Sequence, residues 1–191
     1  MISQYIKPVL AFSLIFIGCI NPFLTEFYDI EKYEKVEGSL KDWKEDGLMA
    51  WFYENGHKMR VATIKNGKYN GKIYHWHKNG QKKLEGYYKN QETDIEKYGM
   101  TGATGLWTYW YENGNKERKG NFKDGKMDGI WSYWYENGQK DGEGTYKDGR
   151  KDGKWTYWYR NGQKAQGIIF KDGLLISSKC WDEEGNEKYC Y

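Results

Sequence analysis

Proline is nearly missing from this 191-residue chain, with 2 in all, and cysteine and histidine number 3 each. Two prolines and no Gly-X-Y period exclude a collagen-like chain. So few cysteines and histidines show no zinc-cluster spacing, and no P-loop, EF-hand or Ser-His-Asp order appears. An excess of one charge is also lacking. The 30 Lys and Arg stand against 27 Asp and Glu, a net charge of +3. That balance gives no electrostatic case for nucleic acid. What the chain has instead is 24 Gly, 10 Trp, 18 Tyr and 7 Phe. An aromatic fraction of 18% argues against disorder. Glycine is costly in helices and aromatics favour strands, so the composition describes short strands joined by glycine turns.

The N-terminus is the exception to a polar sequence. Pro8–Ile20 is an almost uncharged apolar run behind Lys7. It has the layout of a secretory signal and is short for a membrane span of about 20 residues. Its end, Phe16-Ile17-Gly18-Cys19, resembles a bacterial lipobox, where a small residue precedes a lipid-accepting cysteine. The resemblance implies a signal peptide over residues 1–18 and acylation of Cys19. A retained signal anchor and ordinary secretion are the alternatives. Two or three acyl chains hold a protein stably at a membrane surface. The expected location is therefore the cell envelope, facing periplasm or exterior. Residues 19–35 read as a tether and N-terminal cap, with Phe23, Leu24, Phe27 and Tyr28 packing onto the first repeat.

Beyond this, self-similarity dominates. Segments starting at Gly105 (GLWTYWYENGNKERKGNFKDGKMD), Gly129 (GIWSYWYENGQKDGEGTYKDGRKD) and Gly153 align without gaps, and earlier copies start at Gly47 and Gly71. The turn glycines Gly56, Gly80, Gly114, Gly138 and Gly162 step by 24, 34, 24 and 24 residues. The long step contains an insertion at 92–104. The array runs over 36–176, beginning with a half copy at Val36–Gly47, and residues 177–191 form a decayed half copy that caps the end. Frayed terminal units suit a solenoid.

Each unit reads as a β-hairpin. Trp131-Ser132-Tyr133-Trp134-Tyr135 is β-prone, and Asn137-Gly138 is a strong hairpin signal that predicts a type I′ turn. A second turn at Lys147-Asp148-Gly149 leads into the next unit. Successive hairpins pair edge to edge, which predicts an all-β, single-layer antiparallel meander. Trp131, Tyr133 and Tyr135 lie on one face, and Ser132 and Trp134 on the other. Aromatic ladders then let a thin sheet bury surface.

The unit G-x-W-x-Y-W-Y-x-N-G-Q-K followed by G-x-Y-K-D-G resembles the bacterial variant of the MORN repeat, of the YwqK type grouped under the label antitoxin. The resemblance spans about Val36 to Cys190. It implies a hairpin solenoid used as a scaffold or binding surface, without catalytic residues or cofactors. The expected function is a non-enzymatic, lipid-anchored scaffold for a protein or envelope partner. An antitoxin-like partner of a cognate toxin is the alternative, and a glycan- or lipid-binding module comes third.

Individual residues are weighed against the repeat. His75 and His77 share a strand face as a metal pair would. They occupy the positions of Tyr109 and Tyr111, so they read as ladder residues and no metal is expected. His57 reads as a turn residue. Cys180 and Cys190 lie symmetrically about Gly185 and read as a disulfide, with free thiols as the alternative. Trp110, Trp134 and Trp158 form the one candidate binding row, for sugar, peptide or headgroups. Their regularity is better explained as a folding device. The carboxylates sit in turns, where Asp bonds local backbone. Glycan hydrolysis needs two carboxylates at a defined separation, and repetition offers no unique pair. The insertion at 92–104 breaks the period and is either functional or a tolerated surface elongation.

Overall fold

The computed structural model describes residues 27–28, 47–95 and 99–190. Residues 1–18, Cys19, most of the tether and the half copy before Gly47 lie outside the described residues. Strand β1 is Phe27–Tyr28, β2 is Gly47–Phe52, β3 is Lys58–Lys65, β4 is Lys68–Trp76 and β5 is Lys82–Gln91. Then come β6 (Ala103–Trp110), β7 (Lys116–Lys123), β8 (Lys126–Trp134) and β9 (Lys140–Lys147). The last four are β10 (Arg150–Trp158), β11 (Lys164–Lys171), β12 (Leu174–Trp181) and β13 (Glu187–Lys188). Among the described residues they form a single sheet in chain order. From β2 to β13 every neighbour is antiparallel, while β1 lies parallel beside β2, with Phe27 opposite Ala50. The hairpin meander is the fold.

The two turns of each unit differ, and the Asn-Gly turn departs from the expected type I′. In the turn after Trp134, Gly138 has φ 84° but Asn137 is not in the left-handed region. The Gly138 N–H donates to Tyr135 O and the Tyr135 N–H donates to Gln139 O. This is a three-residue loop, a type I turn followed by a left-handed glycine. Asn137 is selected by its side chain instead. Its Oδ1 accepts from the Gln139 N–H and its Nδ2 donates to Arg160 O in the next unit. The type I′ turns are the others. Asp148 and Gly149 have φ 50° and 83°, and Lys147 pairs directly with Arg150.

Units are tied by side chains that reach one repeat ahead. Tyr53, Tyr111, Tyr135 and Tyr159 each donate their hydroxyl to the carbonyl of the next unit's tryptophan, at 2.7–2.8 Å. His77 makes the same reach, with Nε2 2.9 Å from Trp110 O. It is a ladder member with an imidazole in place of a phenol.

The core lies on one face of the sheet. Trp107, Trp131 and Trp155 are at most 1% exposed, which a single layer achieves by cross-strand complementarity. Trp131 lies opposite Gly120, and Trp155 opposite Gly144. A Cβ on either glycine would stand 2.2 Å from the indole, so the ring rests on bare backbone. Phe122 and Tyr146 meet Trp131 edge-on, at 5.2 and 6.3 Å. Its indole N–H donates to Asn121 O. Cations cover the aromatics from the solvent side: the Arg118 guanidinium is 4.1 Å from the Tyr109 ring, and Lys151 Nζ is 4.5 Å from Trp155. Their aliphatic stems complete the burial.

The terminal units change both members of the pair. Ala62 lies opposite Ile73 in the first unit and Ile168 opposite Ser178 in the last. A small residue faces a large one in each case: Ala62 and Ile73 are both buried in the first unit, whereas in the last Ile168 is buried and Ser178 is exposed.

Candidate interaction surface

The opposite face of the sheet carries two rows. One is an alternation of lysine and tryptophan that includes Trp110, Trp134 and Trp158. Across the strands run Lys58, Trp76, Lys82, Trp110, Lys116, Trp134, Lys140, Trp158, Lys164 and Trp181. Each lysine sits over the tryptophan of the following unit, with Nζ 5.8, 5.2, 5.9, 5.4 and 4.0 Å from the ring centroids in turn. All five tryptophans are half-buried. Hairpin pairing sets this row, because the residues flanking each Asn-Gly loop face one another across the strands. The cation–π contacts then order it, each contributing about 0.5–1 kcal/mol at exposed positions. Lys82 bonds Glu85 at 2.9 Å and Lys140 bonds Glu143 at 2.6 Å. Hydrogen bonds from Lys140 and Ser132 hold the Glu143 carboxyl below the usual carboxylate range.

The second row mixes aliphatic and charged residues. Leu48, Leu106 and Ile130 occupy the same place in their units and are 47, 50 and 63% exposed. Lys72 and Lys154 take that place in the other two units. Equivalent residues of successive units recur roughly every 9–10 Å, two strand spacings apart.

The remaining candidates fall as follows. His75 and His77 share no third ligand, and among the described residues no three His, Cys, Asp or Glu come together as metal ligands. His75 lies opposite Arg60. Burial foremost, then the charges of Arg60 and Lys83, push its pKa down to about 3. The folded state therefore favours neutral imidazole, and the unfolded chain takes up the proton first as pH falls below about 6.5. Stability should fall by up to a few kcal/mol between about pH 6.5 and pH 3. Urea unfolding of wild type and His75→Tyr across that range measures this. The tyrosine, which is the repeat's own residue, should flatten that part of the profile.

Cys180 and Cys190 are joined by a disulfide, with Cα atoms 5.4 Å apart. It closes the terminal hairpin, where β13 pairs only with Cys180 and Trp181. The described residues of the insertion are packed. Gln91 is completely buried, its Nε2 donates to Glu92 O and Gly99 O, and its Oε1 accepts from the Gly102 N–H. Ile95 and Met100 pack against the core cluster. The loop therefore extends the core side of the sheet and is held from within. The glycine–tryptophan complementarity was missed in the sequence. Its signal was there: an inward glycine stands 11 residues before Trp131 and Trp155, and Ala62 stands 11 before Ile73.

These features define a β-hairpin repeat protein with a packed aromatic face and a periodic solvent face. Residues 45–66, 103–124, 127–148 and 151–172 match a family model described as MORN repeat variant, so four segments of the chain are similar to that repeat. The unit over β4 and β5 has the same hairpin but falls outside the matched segments. A comparison with curated proteins finds no match. Among solved structures, the crystal structure of accessory secretory protein 1,2 and 3 in Streptococcus pneumoniae is similar at 14% identity and a TM-score of 0.19. The likeness covers 86% of this chain and 23% of that one, and at that TM-score it carries no argument.

Proposed function

We propose that this chain is a non-catalytic scaffold at the cell envelope, anchored by lipid at Cys19, that docks a protein partner on the solvent face of its sheet. The observation that carries the reading is the exposure of Leu106 and Ile130 at one position of adjacent units, with Leu48 at the same position further along the array. These half-exposed aliphatic side chains stand beside the lysine–tryptophan row and between Lys72 and Lys154. Exposed aliphatic groups rimmed by polar ones mark interaction surfaces. Aromatic residues are also enriched where interfaces carry most of their energy.

A photo-crosslinking residue at Ile130 in the intact cell tests it. A discrete adduct is expected, and Leu106→Lys with Ile130→Lys should abolish partner capture while leaving the melting temperature within a few degrees, because both side chains face solvent. Absence of any adduct would sink the reading, and an adduct with a toxin would replace it with the antitoxin-like one. Palmitate labelling of wild type and Cys19→Ala checks the anchor separately.

A further inference from the structure

The charge pattern of the solvent face is broken at β7. Lys82 and Lys140 each bond the glutamate at i+3, Glu85 at 2.9 Å and Glu143 at 2.6 Å. In the unit between them that place holds Lys119, so Lys116 has a second cation where its counterparts have an acid. Among the described residues neither Lys116 nor Lys119 is ion-paired. The row through Lys119 runs Glu85, Thr108, Lys119, Ser132 and Glu143 across the strands. The Ser132 hydroxyl donates to Glu143. Trp110 and Trp134 flank Lys116, whose Nζ lies 5.9 Å from the Trp134 ring. Leu106 and Ile130, 50 and 63% exposed, stand on the strands either side of β7. The result is a basic centre framed by two tryptophans and two aliphatic side chains.

Building on the docking reading above, we propose that the protein partner meets this patch with an acidic segment. A carboxylate sits between Lys116 and Lys119, and aliphatic side chains beside it lie against Leu106 and Ile130. Charge complementarity selects that occupant. Glu85 and Glu143 show that a carboxylate at this place on the face lies within bonding distance of the preceding lysine. With Lys119 there instead, the carboxylate must come from outside, and it accepts from both ammonium groups. Water excluded by the surrounding aromatic and aliphatic groups strengthens the pairing. On either side the row returns to Glu85 and Glu143, each already held by its own lysine. Like charge there repels a misplaced acidic segment, which fixes its register at β7.

Lys119→Glu is the decisive substitution. It installs the residue that the neighbouring units carry and gives Lys116 the ion pair of Lys82 and Lys140, so the melting temperature should hold. The probe is a peptide of alternating Asp and Leu, titrated from about 1 µM to about 1 mM onto the full chain in mild detergent. Wild type should bind it, and more weakly as salt rises. Lys119→Glu should raise the dissociation constant by about tenfold or more, as should Asn in place of Asp in the peptide. Lys72→Glu, on β4, should leave it unchanged. The proposal is overturned by a wild type that does not bind, by equal binding to Lys119→Glu, or by displacement with inorganic phosphate at constant ionic strength, which would assign the site to a phosphate group. In the cell, Lys119→Glu should also suppress the adduct formed from Ile130. An undiminished adduct sinks the acidic partner and leaves the docking, whereas no adduct in wild type sinks both.

Discussion

Gly120→Ala is expected to destabilise the protein by about 3 kcal/mol or more, although it adds one methyl group. The glycine's φ is not in the left-handed region, so alanine meets no backbone strain there. Space alone decides. The new Cβ would lie 2.2 Å from Trp131, a ring with no exposed surface that Phe122 and Tyr146 hold in place. The indole must leave, and its exposure loosens the contacts between neighbouring units. Since solenoid stability is roughly a sum of units and interfaces, unfolding should broaden as well as shift. The first unit supplies its own rescue, because Ala62 and Ile73 fill the same two positions. Gly120→Ala with Trp131→Ile should therefore be more stable than Gly120→Ala alone. Urea melts of the four proteins in this double-mutant cycle give the coupling. Additive effects would mean that the two positions do not share one volume.

Gln91→Leu should cost about 2–4 kcal/mol, the second large effect. The side chain is fully buried and its three hydrogen bonds all go to the backbone of the insertion. Leucine fills the space but leaves the Gly102 N–H and two carbonyls without partners. A buried group left unpaired costs more than the bond it made. Hydrogen exchange reads the result locally. The Gly102 amide should lose protection, followed by Gly125, whose N–H donates to Ala103 O at the end of the loop. Unchanged protection at Gly102 would show that the insertion is held by Ile95 and Met100 alone.

Much of the molecule was legible from particular residues. The recurrence of Gly114, Gly138 and Gly162 set the hairpins and their order, and Tyr109 and Tyr111 told what His75 and His77 replace. The turn chemistry was assigned to the wrong pair. Asn-Gly and Asp-Gly both satisfy the local rule for a type I′ loop, and only the pairing register shows that Asp148-Gly149 makes a two-residue loop and Asn137-Gly138 a three-residue one. The insertion looked like an exposed elongation because nothing local reveals that Gln91 turns inward to bind it.

By itself the sequence determined the period, the strands and the all-antiparallel order of the array, because turn residues and β-propensity act over a few neighbours. It also determined that most of the aromatics are one device repeated. Only the tertiary structure decided which aromatic row is core. Trp131 and Trp134 are three residues apart in the same strand, and composition treats them alike. The first lies against a glycine across the strand and is sealed, while the second stands half-buried between lysines on the other face. That difference resides in the cross-strand partner, which is fixed by register and not by the residue itself.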